Sequence, residues 1–110
     1  MEYLHKEETE KQDLIRGHRL LPEEILNSFP AIGTTSEKQA DEVKVIAKYF
    51  HPLFSWRWYA SEFCKTDGLF FGFVRGFEGE FGYFTLEELN GMINIPNLHG
   101  LPIERDEHFQ

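Results

Sequence analysis

The sequence predicts an α+β fold: a single domain on an antiparallel β-meander of about four to five strands, flanked by short helices. Three observations carry that expectation. Asp67-Gly68 lies between two apolar runs, and Asp-Gly so placed is the strongest short-range hairpin signal. Of the 17 aromatic residues, 14 fall between Tyr49 and Phe84, which locates the core. Two helix starts bracket that region, Pro22-Glu23-Glu24 and Thr85-Leu86-Glu87-Glu88.

Size and composition suit this reading. A chain of 110 residues buries roughly two thirds of its unfolded surface, enough for one core without staples. It is 41% apolar and 27% charged, the balance of a folded soluble chain. No apolar run approaches the ~20 residues that cross a bilayer, and MEYLHKEETEKQ has no signal-peptide core. The expected location is therefore the cytoplasm, with no membrane contact. Cys64 is the one cysteine, so intramolecular disulfides and paired-cysteine metal sites are out, and a buried or half-buried thiol is expected.

Residues 1–19 are polar, with a thin apolar stripe of Leu4, Leu14 and Ile15, and are expected as a frayed helix or mobile arm before a domain spanning 20–110. Pro22 suits a first helical position, and Glu23 and Glu24 suit the first turn, where the helix dipole favours acids. Leu21, Ile25, Leu26 and Phe29 give this helix an apolar face, and Pro30 ends it. AIGTTSEKQADE lacks periodicity and reads as a loop. In EVKVIAKYFHP, Val43, Val45, Ala47 and Tyr49 alternate with polar or second-face residues, which favours a strand. A helix from Ser36 competes, because SEKQADEVKVIAKYF is rich in helix formers.

A two-residue turn at Asp67-Gly68 would place Thr66 opposite Leu69, Cys64 opposite Phe71, Phe63 opposite Gly72, Glu62 opposite Phe73 and Ala60 opposite Arg75. A ring covering a glycine is a favourable cross-strand pair. Glu78-Gly79 is a second turn, leading to a strand at Phe81–Phe84. Thr85 with Glu88 forms a capping box for a helix that buries Leu86 and Leu89 and ends near Met92, with Gly91 as its stop. LPIERD is a short last strand. Strands with rings on both faces need cover on both, and a short helix on each side would supply it. Otherwise a patch is exposed for a partner.

Glu62 stands alone among rings in FSWRWYASEF. In the register above it shares a face with Trp56, Trp58, Ala60, Cys64, Phe71, Phe73 and Arg75. Two readings follow: a Glu62–Arg75 ion pair roofed by tryptophans, or a carboxylate of raised pKa poised for acid–base work. The ion pair is favoured, and if buried its loss in Arg75→Ala would cost roughly 3–5 kcal/mol. Glu104, Asp106 and His108 alternate on the last strand, so a divalent metal is a minor alternative to a charged, solvated edge. The histidines have no serine or cysteine partner at a diagnostic spacing. The glycines of GFVRGFEGEFG suit turns and bulges rather than a phosphate loop. From Ala60 onward nine acids face three bases, a balance of −6 within a total of −8. That field disfavours direct nucleic-acid binding.

WRWYASEF (Trp56–Phe63), FFGFVRGFEGEFGYFTLEEL (Phe70–Leu89) and GLPIERD (Gly100–Asp106), with Leu21-Pro22 ahead of them, resemble a bacterial, plasmid- and phage-associated domain-of-unknown-function family, number 2958. The family's Trp-x-Trp-Tyr-Ala segment followed by an acid is similar to Trp56, Trp58, Tyr59, Ala60 and Glu62. Its Gly-Tyr-Phe before a leucine-containing helix is similar to Gly82, Tyr83, Phe84 and Leu86. The resemblance covers about residues 20–109 and implies an accessory-genome context. It implies no activity and no catalytic residue.

The sequence therefore supports a non-catalytic module binding a protein partner, with Trp56, Trp58, Tyr59, Glu62, Arg75 and Tyr83 as candidate contact residues and no cofactor. The alternative is a carboxylate-dependent hydrolase or nuclease-like enzyme using Glu62, Glu104 and Asp106, with or without a divalent ion. Convergence of those three carboxyls in one cleft would favour the enzyme.

Overall fold

The apolar runs around Asp67-Gly68 do form a hairpin, at the centre of an antiparallel sheet, in a computed structural model that describes residues 2–109. Among those residues the sheet has five strands: β1 (Ala47–His51), β2 (Phe54–Cys64), β3 (Leu69–Arg75), β4 (Gly79–Thr85) and β5 (Glu104–Arg105). Their spatial order is β4-β3-β2-β1-β5. Three α-helices accompany them, α1 (Lys6–Arg16), α2 (Glu23–Ser28) and α3 (Leu86–Gly91). The architecture is the α+β meander expected.

Local chemistry explains most boundaries. Pro22 caps α2 with φ −63°, and Leu21 and Leu26 go into the core while Ile25 and Phe29 pack against it. Thr85 Oγ accepts from the Glu88 amide at 3.0 Å, and its hydroxyl donates to the Glu88 carboxylate at 3.1 Å. The Glu88 side chain thus meets the cap hydroxyl instead of the cap amide. Leu86 and Leu89 are fully buried, as the pattern requires. In β1 the alternation holds, with Ala47, Tyr49 and His51 inward, but regular pairing starts at Ala47 rather than Val43. Residues Ala40–Glu42 make a single 3-10 turn in place of the competing helix.

One core unites the helices with one face of the sheet. Phe70 stacks on Phe63 at 4.4 Å and on Phe84 at 5.1 Å, carrying rings across three strands. Leu26 of α2, Leu86 and Leu89 of α3, and Ile103 belong to the same cluster. The expected helix on each side is therefore corrected: the helices share one face, and the other carries the connection 31–46 and the segment ending at Phe109.

Helix α1 attaches by its polar side. Leu14 is 88% exposed and Ile15 58%, so the expected apolar stripe faces water. Thr9, Gln12 and Arg16 are buried instead. Arg16 pairs with Asp13 at 2.9 Å and donates to the carbonyls of Thr9 and Ile103. Gln12 donates to the Asn90 carbonyl at 2.9 Å, and the Asn90 amide donates to Thr9 Oγ at 3.0 Å. Hydrogen bonds make most of these polar groups tolerable inside, while Gln12 Oε1 and Asn90 Oδ1 have no partner among the described residues.

The hairpin register differs from expectation in two ways. Four residues, 65–68, join the strands, with Gly68 at φ +60°, so Cys64 faces Leu69, Phe63 faces Phe70 and Glu62 faces Phe71. That is a slip of two residues, which leaves side chains on their faces. A bulge at Ser61 then inverts the alternation, because Ala60 pairs with Gly72 while Glu62 pairs with Phe71. Trp58, Ala60 and Phe63 consequently share the helix-covered face, and Glu62 turns away from the tryptophans. Gly72 is fixed by close approach: a Cβ there would lie 1.9 Å from the Tyr59 carbonyl oxygen.

Candidate functional site

Glu62 sits where β1 no longer borders β2. The chain after α2 runs along that vacated edge, with the Phe63 amide donating to the Pro30 carbonyl at 3.1 Å. It then folds over Glu62. The Gly33 amide donates to one carboxylate oxygen at 2.8 Å, and the Thr35 amide donates to the other at 2.7 Å, joined there by the Thr35 hydroxyl. Glu62 is 2% exposed, and both oxygens are engaged. The glutamate is a clip that fastens a loop to the sheet.

The expected Glu62–Arg75 ion pair does not form. Arg75 lies at the far end of β3, opposite Arg57 on one side and Gly79 on the other. The shorter register sum moves it beyond reach of Glu62. Arg57 folds over the Phe50 ring at 5.4 Å and donates to the Phe54 and Trp56 carbonyls. Arg75 stays exposed, and among the described residues no carboxylate pairs with it.

The helix-free face is a plate of rings. Tyr59 meets Phe73 at 6.4 Å, Phe73 meets Phe81 at 5.2 Å, and Phe71 meets Tyr83 at 5.2 Å. Phe81 is 42% exposed and Tyr83 62%. Of the sequence-nominated contact residues, Tyr59, Arg75 and Tyr83 lie on this plate. Trp58 belongs to the core, Trp56 packs against Phe54, Trp58 and Phe77, and Glu62 is covered by the loop. Sequence reasoning passed over Phe71, Phe73 and Phe81, although their odd-numbered alternation with Arg75 and Tyr83 was a readable signal. Nothing in the sequence marks Gly33 or Thr35 as partners of Glu62.

The other acids are apart from Glu62. Glu104 pairs with Phe50 on β5, two strands away. Asp106 lies 3.7 Å from Lys48 Nζ, and its side chain accepts from the His108 amide at 3.0 Å. Among the described residues no group of three or more His, Cys, Asp or Glu side chains is placed to hold a metal ion, so Glu104, Asp106 and His108 are not brought together as ligands. His51 is buried with both nitrogens committed, to the Leu53 amide and the Leu101 carbonyl.

Perturbed ionisation lies on the helix side, away from the plate. Burial, aided by Glu10 and Asp13, pushes the Tyr3 hydroxyl up to about 12. Burial raises Tyr49 as well. It also lowers Arg16, with Asp13 opposing the shift. These are signatures of the α1 packing and supply no acid–base pair. Among the described residues no helix is long and apolar enough to cross a membrane.

No curated protein and no solved structure matches this chain. A family model does, described as a protein of unknown function, DUF2958, and it spans residues 20–110. That span holds the whole sheet, α2 and α3, and the blocks in which the resemblance was read; the chain belongs to this family.

Proposed function

We propose that the chain is a non-catalytic protein-interaction module of the bacterial accessory genome, acting in the cytoplasm and binding a partner over the helix-free face and the β4 edge. One observation carries the reading: a plate of partly exposed rings runs without a break into an edge strand. Among the described residues nothing pairs with the outer side of β4, which is seven residues long, whereas the opposite edge strand β5 has two. Proteins usually blunt such edges, and an open edge beside aromatics suits an added strand. Glu78 and Glu80 lie at one end of β4 and Glu87 and Glu88 just past the other. A basic extended segment of the partner complements them. The carboxylate-dependent reading gains no support from the positions of Glu62, Glu104 and Asp106.

The test is capture from the native host with Phe81→Ser and Tyr83→Ser variants beside the wild type and an exposed control, Leu14→Ser. A partner retained by wild type and control but lost by both plate variants is expected. Equal retention by all four proteins overturns the reading.

A further inference from the structure

At the Arg75 end of the helix-free face the connection 31–46 stands off the sheet and leaves a groove of about 370 Å³. Val43, Val45, Tyr59, Phe73 and Phe81 supply most of its apolar lining. Volumes of roughly 300–1,000 Å³ lined by apolar groups with a few polar ones are typical of small-molecule sites. Two polar groups belong to the lining, Arg75 and Ser61.

Ser61 is the extra residue of the β2 bulge. It is 1% exposed, and its Oγ has no hydrogen-bond partner among the described residues. Buried hydroxyls are nearly always bonded; this one belongs to a residue that lines the groove, and a ligand atom reaching it would supply the partner. Among the described residues no carboxylate pairs with Arg75, in a chain of net charge −8. Its neighbour Arg57 is tied to carbonyls and a ring, so Arg75 alone presents a fork of donors at the groove. A guanidinium so placed selects a planar carboxylate, which it binds through two parallel hydrogen bonds.

We infer that this groove binds a small carboxylic acid with an aromatic or branched apolar body. Arg75 takes the carboxylate, Tyr59, Phe73 and Phe81 enclose the body with Val43 and Val45, and Ser61 bonds a further polar atom of the ligand. This goes beyond the docking reading. It shares Tyr59, Phe73, Phe81 and Arg75 with the helix-free face but does not involve Tyr83.

The experiment is amide-resolved NMR titration of the full chain with phenylacetate, 3-phenylpropionate and isocaproate, each beside its uncharged amide. At least one acid is expected to shift the Ser61, Phe73 and Phe81 amides and the Arg75 Nε saturably. Its amide should bind at least about fivefold more weakly, and Arg75→Gln should weaken the acid about tenfold, the scale of a charge-assisted hydrogen bond. Ser61→Ala should weaken binding of acids that carry an additional polar atom, tested with mandelate, while the free protein melts no lower than wild type. Tyr83→Ser should leave acid binding intact, so failure here and failure of partner docking are separable. Absence of saturable shifts with all three acids overturns the inference, as does equal affinity for acid and amide or for wild type and Arg75→Gln.

Discussion

Thr35 holds Glu62 twice on the same carboxylate oxygen, once through its amide at 2.7 Å and once through its hydroxyl. Glu62→Ala leaves the Thr35 amide and its hydroxyl without their acceptor in a buried place, and a cost of about 2–4 kcal/mol follows. Thr35→Val removes the hydroxyl alone and should cost about 1–2 kcal/mol. Urea unfolding measures both. Hydrogen exchange should show the Gly33 and Thr35 amides losing protection in Glu62→Ala while the β2–β3 ladder keeps its own. Loss of protection across the sheet would mean that the clip does more than fasten the loop.

Arg75→Ala is the complementary measurement. With no ion pair to break and an exposed side chain, it should change stability by no more than about 0.5 kcal/mol. A loss near 3 kcal/mol would restore the buried pair that the sequence suggested.

Gly72→Ala should be among the most damaging small changes in the protein. The added carbon meets the Tyr59 carbonyl at 1.9 Å, and backbone, unlike a side chain, cannot swing aside. Strands β2 and β3 would have to separate at their centre, for about 3 kcal/mol or more. Gly82, paired with Gly72 but with open space at its own Cβ position, is the control, and Gly82→Ala should be tolerated. Thermal melts of the two variants compare them directly.

Helix α1 lies outside the span that defines the family, yet it sends Arg16 into the core to the Ile103 carbonyl. Arg16→Ala leaves two carbonyls without their donor, and Asp13 with only the Leu20 amide, and should cost about 3–5 kcal/mol. The fragment 20–110 should melt well below the full chain for the same reason. Equal melting would show that the helix rests on the domain without supporting it.

High pH should unfold the protein through its tyrosines. Tyr3 has an ordinary value of 10.0 and is held up to about 12 in the fold, so between those limits the unfolded chain has released a proton that the folded chain keeps. Stability is complete below about pH 10 and falls as pH rises through the window, by about 1.4 kcal/mol per unit for this group. Tyr49, raised by burial and donating to the Leu20 carbonyl at 3.2 Å, acts in the same direction. Absorbance of the tyrosinate band should show Tyr3 and Tyr49 titrating together with unfolding. Titration of both in a folded protein would contradict the burial.

Sequence reasoning reached the elements that local chemistry decides. Pro22, the Thr85 cap, the Asp67-Gly68 reversal and the inward alternation of Ala47 and Tyr49 are each written within a few residues. What it missed depends on relations between distant residues. The turn signal at Asp67-Gly68 is shared by two- and four-residue connections, and only the packing of Phe70 on Phe63 and Phe84 chooses between them. The Ser61 bulge is set by the need for Ala60 and Phe63 to lie in one core, which no feature of Ser61 announces. The burial of Arg16 was not legible, because its acceptor at Ile103 is brought to it by the tertiary fold. Of the contact plate, Tyr59, Arg75 and Tyr83 were among the nominated residues, whereas the Ser61 bulge, absent from the expected register, set the tryptophans on the face opposite Glu62.

The irregular residue in β2 makes that strand intolerant of length change. Deleting one residue there would not shorten the strand harmlessly; it would restore strict alternation and turn either the tryptophan half or the Phe63 half inside out. Insertions and deletions in the lineage of this chain should therefore collect in the 31–46 crossing, and the count of residues between Trp58 and Phe63 should stay the same even where their identities drift.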